Sequence, residues 1–478
     1  MGDLRLFTPE FVVLAGTLMA FAMSAIEVSK RWAWRVSIHM GAIALGASAM
    51  FLLSEGQPFF NGIYSVDVFS QLLKFGIVAG LFLTLLLCER SGSLRDEAYV
   101  DVPIFLFIST LGMMMLVSAT ELLTLYVALE LSAYGMYIMA ALHRLRKDGS
   151  EAAAKYILFG GASSAVTLYG ISLIYGATGS TYLSAIPAAG MSPLLIVGGL
   201  LALAGLAFKL ALFPFHAWAP DTYEGAPHQV VTFIATASKV AAVGVLIRIL
   251  VPFAKDPQQI KIALLVLCVA SMTFGNLAAI AQRDVKRLLA YSTVAHAGYI
   301  AIGLASFTEL GFAAAIFYAL IYVPISFCAF LVVTAVGSDG RNPKFEDMAG
   351  LYQRSPLLAA TLLIGLFGLA GIPPTAGFIG KWFLFVAALD GAMFWLVFVA
   401  AVNATISLYY YLRLLKEAYL TPPGDRPAIR LPDGVAVAAC IGMVLVLVAG
   451  VYPGPLWDVS GEAARAVMGI DLFLEFKP

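Results

Sequence analysis

The sequence predicts an all-α polytopic membrane protein of about fourteen transmembrane helices, and three observations carry that expectation. Of the 478 residues, 61% are hydrophobic and 12% charged, where soluble domains carry about 25% charge; the mean hydropathy is +0.90. Apolar runs of roughly 20 residues, long enough to cross a bilayer core, recur from end to end. Lys and Arg crowd into alternate loops between those runs. The net charge is zero and no basic tail is present, so nothing points to nucleic acid.

The first run, 9–27, has little positive charge ahead of it and Lys30 and Arg31 behind it, which marks a retained helix rather than a cleaved leader. Runs at 33–53, 66–88 and 100–119 follow, then 121–142, with Glu130 at mid-span, and 152–176. The seventh, 193–218, is interrupted within "GLAFKLALFPFHAWAPDTYEGAP", where Lys209 sits among apolar residues and Pro214 cannot continue a helix. Spans at 228–251, 260–281, 286–306 and 309–336 come next. The twelfth, 356–389, breaks at "GIPPTAGFIGKW". Spans 391–418 and 434–452 complete the set, and 455–478 read as a short periplasmic tail.

This order divides the chain into three N-terminal helices (1–98), two comparable halves (99–251 and 252–420), and a last helix with its tail (421–478). Each half contains one interrupted helix with an L-A-G step, a proline break and a buried lysine, a sign of internal repetition in transporter-like proteins. Loops after odd-numbered spans hold 18 Lys and Arg, among them Lys30, Arg31, Arg287 and Arg354. The other face holds five: Arg5, Lys255, Lys261, Arg465 and Lys477. The positive-inside rule puts the first face in the cytoplasm and both termini in the periplasm.

Six basic residues belong to no loop: Lys74, Lys155, Lys209, Lys239, Arg248 and Lys381. A charge at a helix centre costs about 2.5–3.5 kcal/mol on insertion scales, so each is a functional candidate. Lys74 and Arg248 lie toward span ends and read as snorkelling side chains. Lys155 is intermediate; Lys209, Lys239 and Lys381 are deep. Glu130 shares a helical face with Tyr126, Tyr134 and Tyr137 and needs a partner, for which Lys209 on a neighbouring helix is the expected one.

Other polar groups align with these. His228, Thr232 and Lys239 fall at i, i+4 and i+11, and "KRLLAYSTVAHAGY" places Ser292, Thr293, His296 and Tyr299 along one helix. Singly, each fits an ordinary interhelical contact; together they read as a proton relay. Non-helical backbone at membrane depth survives only against protein or water, so both breaks imply polar pockets beside Lys209 and Lys381. A buried lysine gives up its proton readily and a nearby carboxylate restores it, so a moving charge can switch it with no metal or cofactor. His216, beside the break, and His143, in a basic loop, fit either reading, and His39 reads as structural. Cys88, Cys268, Cys328 and Cys440 are far apart in apolar segments, so no iron–sulfur or zinc site is indicated. No dinucleotide, phosphate-loop or haem-attachment motif is present.

The stretches "YVALELSAYGMYIMAAL", "AAAKYILFGGASSAVTLYG", "FPFHAWAPDTYEGAP", "ASKVAAVGVLIRIL", "RDVKRLLAYSTVAHAGYI" and "GIPPTAGFIGKWFLF" resemble the antiporter-like membrane subunits of respiratory complex I over roughly residues 60–420. The K-Y-x-L-x-G-x-x-S-S-A segment and the G-I-P-P-x-x-G-F-I-G-K ending point to the N (chain 2) type over its sisters L and M. The resemblance implies fourteen helices with two inverted five-helix repeats. It also implies a relay through Glu130, Lys155, Lys209, Lys239 and Lys381, to which the reading above adds His228 and His296. NADH, FMN, iron–sulfur clusters and quinone are then expected in other subunits, with none bound here. The expected partners are other membrane-arm subunits, including a sister antiporter-like subunit, and the lipid bilayer; the expected place is the bacterial inner membrane. Two rivals stand beside this reading: a subunit of a multi-subunit Na⁺/H⁺ antiporter, and a solitary transporter for an organic solute.

Overall fold

The computed structural model describes residues 4–56, 58–88, 94, 99–142 and 147–469, the side chains of 147 and 148 excepted. Arg90, Arg95, His143, Arg144, Arg146 and Lys477 lie outside the described residues, which contain helices and no strand.

Each of the fourteen expected spans is a helix or a pair of helices. The first six are α1 (Thr8–Ala25), α2 (Lys30–Met50), α3 (Val68–Leu87), α4 (Val102–Ser118), α5 (Leu122–Ala140) and α6 (Lys147–Thr178). The interrupted seventh is α7 (Pro193–Leu210) followed by the short α8 (Trp218–Gly225). The eighth is itself divided at Thr236 into α9 (His228–Ala235) and α10 (Ala237–Leu250). Then come α11 (Gln258–Ile280), α12 (Val285–Ser306), α13 (Glu309–Val336) and the one-turn α14 (Leu351–Arg354). The twelfth span is α15 (Pro356–Ala370) and α16 (Ala376–Asp390), before α17 (Phe394–Leu420) and α18 (Asp433–Val451). Among the described residues, eleven helical stretches are long and apolar enough to cross a membrane on composition alone. Among the rest, α2 opens with Lys30, Arg31 and Arg35, and α4 and α15 are shorter apolar helices.

Spans four to eight and nine to thirteen form two sets of five. Five crossings reverse the side from which the next set starts, so equivalent helices of the two sets run antiparallel. The inner packing repeats as well. In α4 against α5, a side chain on Gly112 would strike the Ser132 backbone, 2.5 Å from its N. In α11 against α12, one on Gly275 would come within 2.7 Å of Ala295 N. Small residues at both places let the backbones touch, as in membrane helix pairs generally. The span formed by α9 and α10 is buried throughout, and α12 and α13 nearly so, while α6, α11, α17 and α18 form an outer ring. Charged groups on the central helices therefore face protein.

Three expectations change. Lys74 does not snorkel: it is fully buried, and its Nζ lies 2.7 Å from the Glu10 carboxylate of α1. Tyr64 donates to the same carboxylate at 2.5 Å. Arg248 does not snorkel either. It forks onto both oxygens of Asp67, at 2.9 and 2.6 Å, and its Nε donates to the Val117 carbonyl at 3.0 Å. One cation thereby meets the last turn of α4 and the carboxylate that caps α3, as helix-end charges favour. The tail read at 455–478 begins as an amphipathic helix, α19 (Gly454–Met468). Its Trp457 stacks on Phe383 at 3.9 Å and its Arg465 pairs with Glu309 at 3.1 Å. Residues 470–478 lie outside the described residues.

Candidate proton-relay site

A helix that stops at membrane depth leaves its last carbonyls without intrahelical partners, and this chain has two such ends. α7 ends at Ala211, whose φ of 66° is left-handed, with Leu212 N donating to Ala207 O at 3.0 Å. α15 ends at Gly371, φ 81°, with Ile372 N donating to Phe367 O at 2.9 Å. Both are six-to-one closures on a left-handed residue, the Schellman arrangement. They leave the same two carbonyls open, one and two residues before the left-handed position.

A lysine takes both carbonyls at each end. Lys239 Nζ donates to Lys209 O at 3.3 Å and Leu210 O at 3.0 Å. Lys381 Nζ donates to Leu369 O at 3.0 Å and Ala370 O at 2.8 Å. Each ammonium also lies over an aromatic face, Lys239 over Trp218 at 5.3 Å and Lys381 over Tyr299 at 4.9 Å. The negative end of a helix dipole and a ring face both favour a cation. Gly371 is fixed by the same arrangement, since a side chain there would meet the Lys381 stem at 2.9 Å. The sequence pairs Lys209 with Lys381 by their nearness to proline; the geometry pairs Lys239 with Lys381 by what they hold.

Lys209 does something else. Its backbone carbonyl serves Lys239, while its own ammonium donates to Ser132 Oγ of α5 at 2.7 Å. Among the described residues no ion pair joins it to Glu130, the partner expected from the sequence. The half-buried Glu130 accepts a hydrogen bond from Ser164 of α6 instead. A cavity of about 20 Å³ lies beside Lys209 and Ser164, lined also by Ser163, Tyr137 and Tyr156. That is room for about one water.

The second half continues in hydroxyls. His296 Nδ1 lies 2.8 Å from the Tyr318 hydroxyl and Nε2 3.2 Å from that of Tyr411. Tyr411 also meets Ser292 Oγ at 2.5 Å, and Tyr322 meets Thr293 Oγ1 at 3.1 Å. Ser292 and His296 thus communicate through a phenol of α17, not directly along α12. Tyr410 donates to Asn276 at 2.9 Å, and Asn276 donates to Asn403 at 3.2 Å. These tyrosines and asparagines are relay-grade groups that reading by charge passed over. The clue was Asn276 and Asn403, amides inside apolar spans.

The structure groups five of the seven candidates, Glu130, Lys209, Lys239, His296 and Lys381, in the membrane interior. His228 and Lys155 are elsewhere. His228 starts α9, with Nε2 3.2 Å from Gly337 O, and Gly337 lines a cavity of the basic face. The break at Thr236 interrupts the stripe that was to join His228 to Lys239. Thr232 and Thr236 each turn a hydroxyl back to the carbonyl four residues earlier.

Lys155, 37% exposed, pairs with Glu151 at 2.7 Å and Asp221 at 2.6 Å. Asp221 and Glu224 of α8 also bind Arg287, at 2.8 and 2.6 Å. This network ties α6, α8 and α12 at the basic face, at the ends of their spans. Burial works to raise the Asp221 carboxyl, but Lys155 and Arg287 outweigh it and hold it below the ordinary aspartate range. A carboxylate lowered in this way stabilises the fold fully at neutral pH, and its contribution fades only below about pH 4. Asp221→Asn should therefore lower stability at pH 7 by a partly screened amount of about 1 kcal/mol, and with it the unfolding temperature. The gap from wild type should close as pH falls towards about 3. Scanning fluorimetry of both proteins across that range checks it.

Two helix breaks capped by buried lysines, with a cluster of hydroxyls about His296 in the second half, define an antiporter-like membrane subunit. Residues 119–407 match the family described as "NADH:quinone oxidoreductase/Mrp antiporter, TM". The chain belongs to that family, and within it to the subunit N type of NADH:quinone oxidoreductase. It is 44% identical to "NADH-quinone oxidoreductase subunit N 2" of Syntrophobacter fumaroxidans, over 97% of this chain and 99% of that one. A chain of respiratory complex I from Thermus thermophilus is 34% identical and superposes with a TM-score of 0.84, covering 95% of this chain and all of the other. A chain of the Mrp complex from Dietzia shares the fold, with a TM-score of 0.86 at 22% identity over 99% of each.

Proposed function

We propose that this chain is the proton-translocating membrane subunit N of an NADH:quinone oxidoreductase, moving protons through Glu130, Lys209, Lys239, His296 and Lys381. The observation that carries the reading is the pair of ammonium-capped breaks. A protonated lysine binds the negative end of a half-helix; a neutral one binds it less well. Proton occupancy and the geometry of the break are therefore linked. A charge moved near either lysine changes whether it keeps its proton, so no redox group is required in this chain. Lys155 and His228 belong to this account as groups at the basic face, where protons arrive.

Electron transfer from NADH to quinone belongs to the other subunits, which hold the NADH site, FMN, the iron–sulfur clusters and the quinone. The basic face is cytoplasmic, both termini are periplasmic and the membrane is the bacterial inner one. Glu130 and the exposed Tyr134 mark the face of α5 on which a neighbouring membrane-arm subunit, a sister antiporter-like one, acts.

An affinity-tagged chain purified from its own membranes tests the assignment. It should bring down an assembly that oxidises NADH with quinone and acidifies one side of a vesicle. An assembly that exchanges Na⁺ for H⁺ and leaves NADH untouched would replace this reading with the antiporter one.

A further inference from the structure

Resting on the relay reading above, we infer that Ser132 and Ser164 are positioning residues that hold Lys209 and Glu130 apart, beside a cavity the size of one water. At about 100° per residue round α5, Leu129, Ala133, Met136 and Tyr137 form the face that lines the 20 Å³ cavity. Glu130 lies to one side of that face and Ser132 to the other. Lys209 reaches past the cavity and donates to Ser132 Oγ at 2.7 Å. Ser132 is fully buried, and its own hydroxyl donates onward to Leu129 O at 2.7 Å, so its lone pairs face the ammonium. On the far side Ser164 donates to the Glu130 carboxylate.

Each charge is thus engaged by a neutral hydroxyl on its own side, and Ser164, the partner of Glu130, lines the same cavity as Lys209. The helices fix these positions. A side chain on Gly112 would collide with the Ser132 backbone, and one on Gly205 would reach Ser163 O at 2.7 Å. Ser163 Oγ also donates to Gly205 O at 2.6 Å, locking α6 to α7. Removing either hydroxyl leaves one charge of the pair unsatisfied, and the nearest replacement partner is the opposite charge.

The other titratable groups around Lys209 are Tyr137 of α5, Tyr156 of α6, Lys239 of α10 and His216 of the break. α11 brings the Ser271 hydroxyl, which accepts from Phe213 N at 2.9 Å. Among the described residues Glu130 is the one acidic group acting on Lys209, so any gain in its proton retention traces to Glu130.

The test is the pH profile of NADH-driven proton movement by the whole complex in vesicles. Ser132→Ala should shift the alkaline limb to higher pH by about one pH unit, the low end of what a new opposite charge does. Ser164→Ala, on another helix, should shift it the same way, and Ser132→Thr should keep the wild-type profile. Against the already reduced proton movement of Glu130→Gln, adding Ser132→Ala should leave the pH profile where it was. An unmoved limb, or one displaced to lower pH, in whichever serine variant assembles would overturn the inference. Normal proton movement by assembled Lys209→Met would instead strike at the relay reading itself.

Discussion

Lys239→Met is expected to cut NADH-driven proton movement by about tenfold or more, as loss of a proton-transfer group does, and to destabilise the protein as well. The second effect follows from the break. Without the ammonium, the carbonyls of Lys209 and Leu210 are stranded at membrane depth, at a cost of about 1–3 kcal/mol each. Lys239→Gln separates the two roles, because an amide can still donate to those carbonyls but has no proton to exchange. It should assemble and unfold close to wild-type temperature while moving few protons. Lys381→Met and Lys381→Gln should repeat the pattern at the second break, where Leu369 and Ala370 take the place of Lys209 and Leu210. If the Gln variants pump normally, the lysines serve only as caps.

Lys74→Met should produce the largest loss of stability without touching the relay. Lys74 and Glu10 are both buried and in contact, and removing one partner of such a pair costs about 3–5 kcal/mol because the other charge remains. Exchanging both for neutral residues is far cheaper. The double variant Glu10→Gln/Lys74→Met should therefore recover most of the unfolding temperature lost by the single one. A double variant as unstable as the single one would show that Lys74 stabilises through packing alone. The result also bears on experimental design: Lys74 cannot serve as an inert control for the deep lysines, although its place in the sequence invites that use.

The spans, their breaks and most of the deep charges were legible in the sequence because each rests on local chemistry. An apolar run of 20 residues, Pro214 after Lys209, and Pro373–Pro374 ahead of Lys381 need no knowledge of neighbours. What stayed hidden depends on partners distant along the chain. Lys74 and Arg248 look like span-end cations until Glu10 and Asp67 are brought beside them from other elements. The break at Thr236 has no proline or glycine to announce it. Which lysine answers to Lys381 was hidden for the same reason, since capping two carbonyls is a relation between helices. Glu130 and Lys209 were expected to pair from neighbouring helices, but the serines that engage each of them instead are too ordinary in composition to be noticed. The amphipathic α19 was missed because its apolar residues, such as Leu456, Trp457, Ala463 and Val467, are interleaved with Asp458, Ser460, Glu462 and Arg465 and form no apolar run.

The central claim is that protons held by lysines at helix breaks are the ones this subunit moves. The most direct measurement is the rate of NADH-driven proton uptake into vesicles by fully assembled Lys239→Gln complex, with assembly and unfolding temperature matched to wild type. The account predicts a correctly folded complex whose proton uptake has collapsed; uptake at the wild-type rate would contradict it.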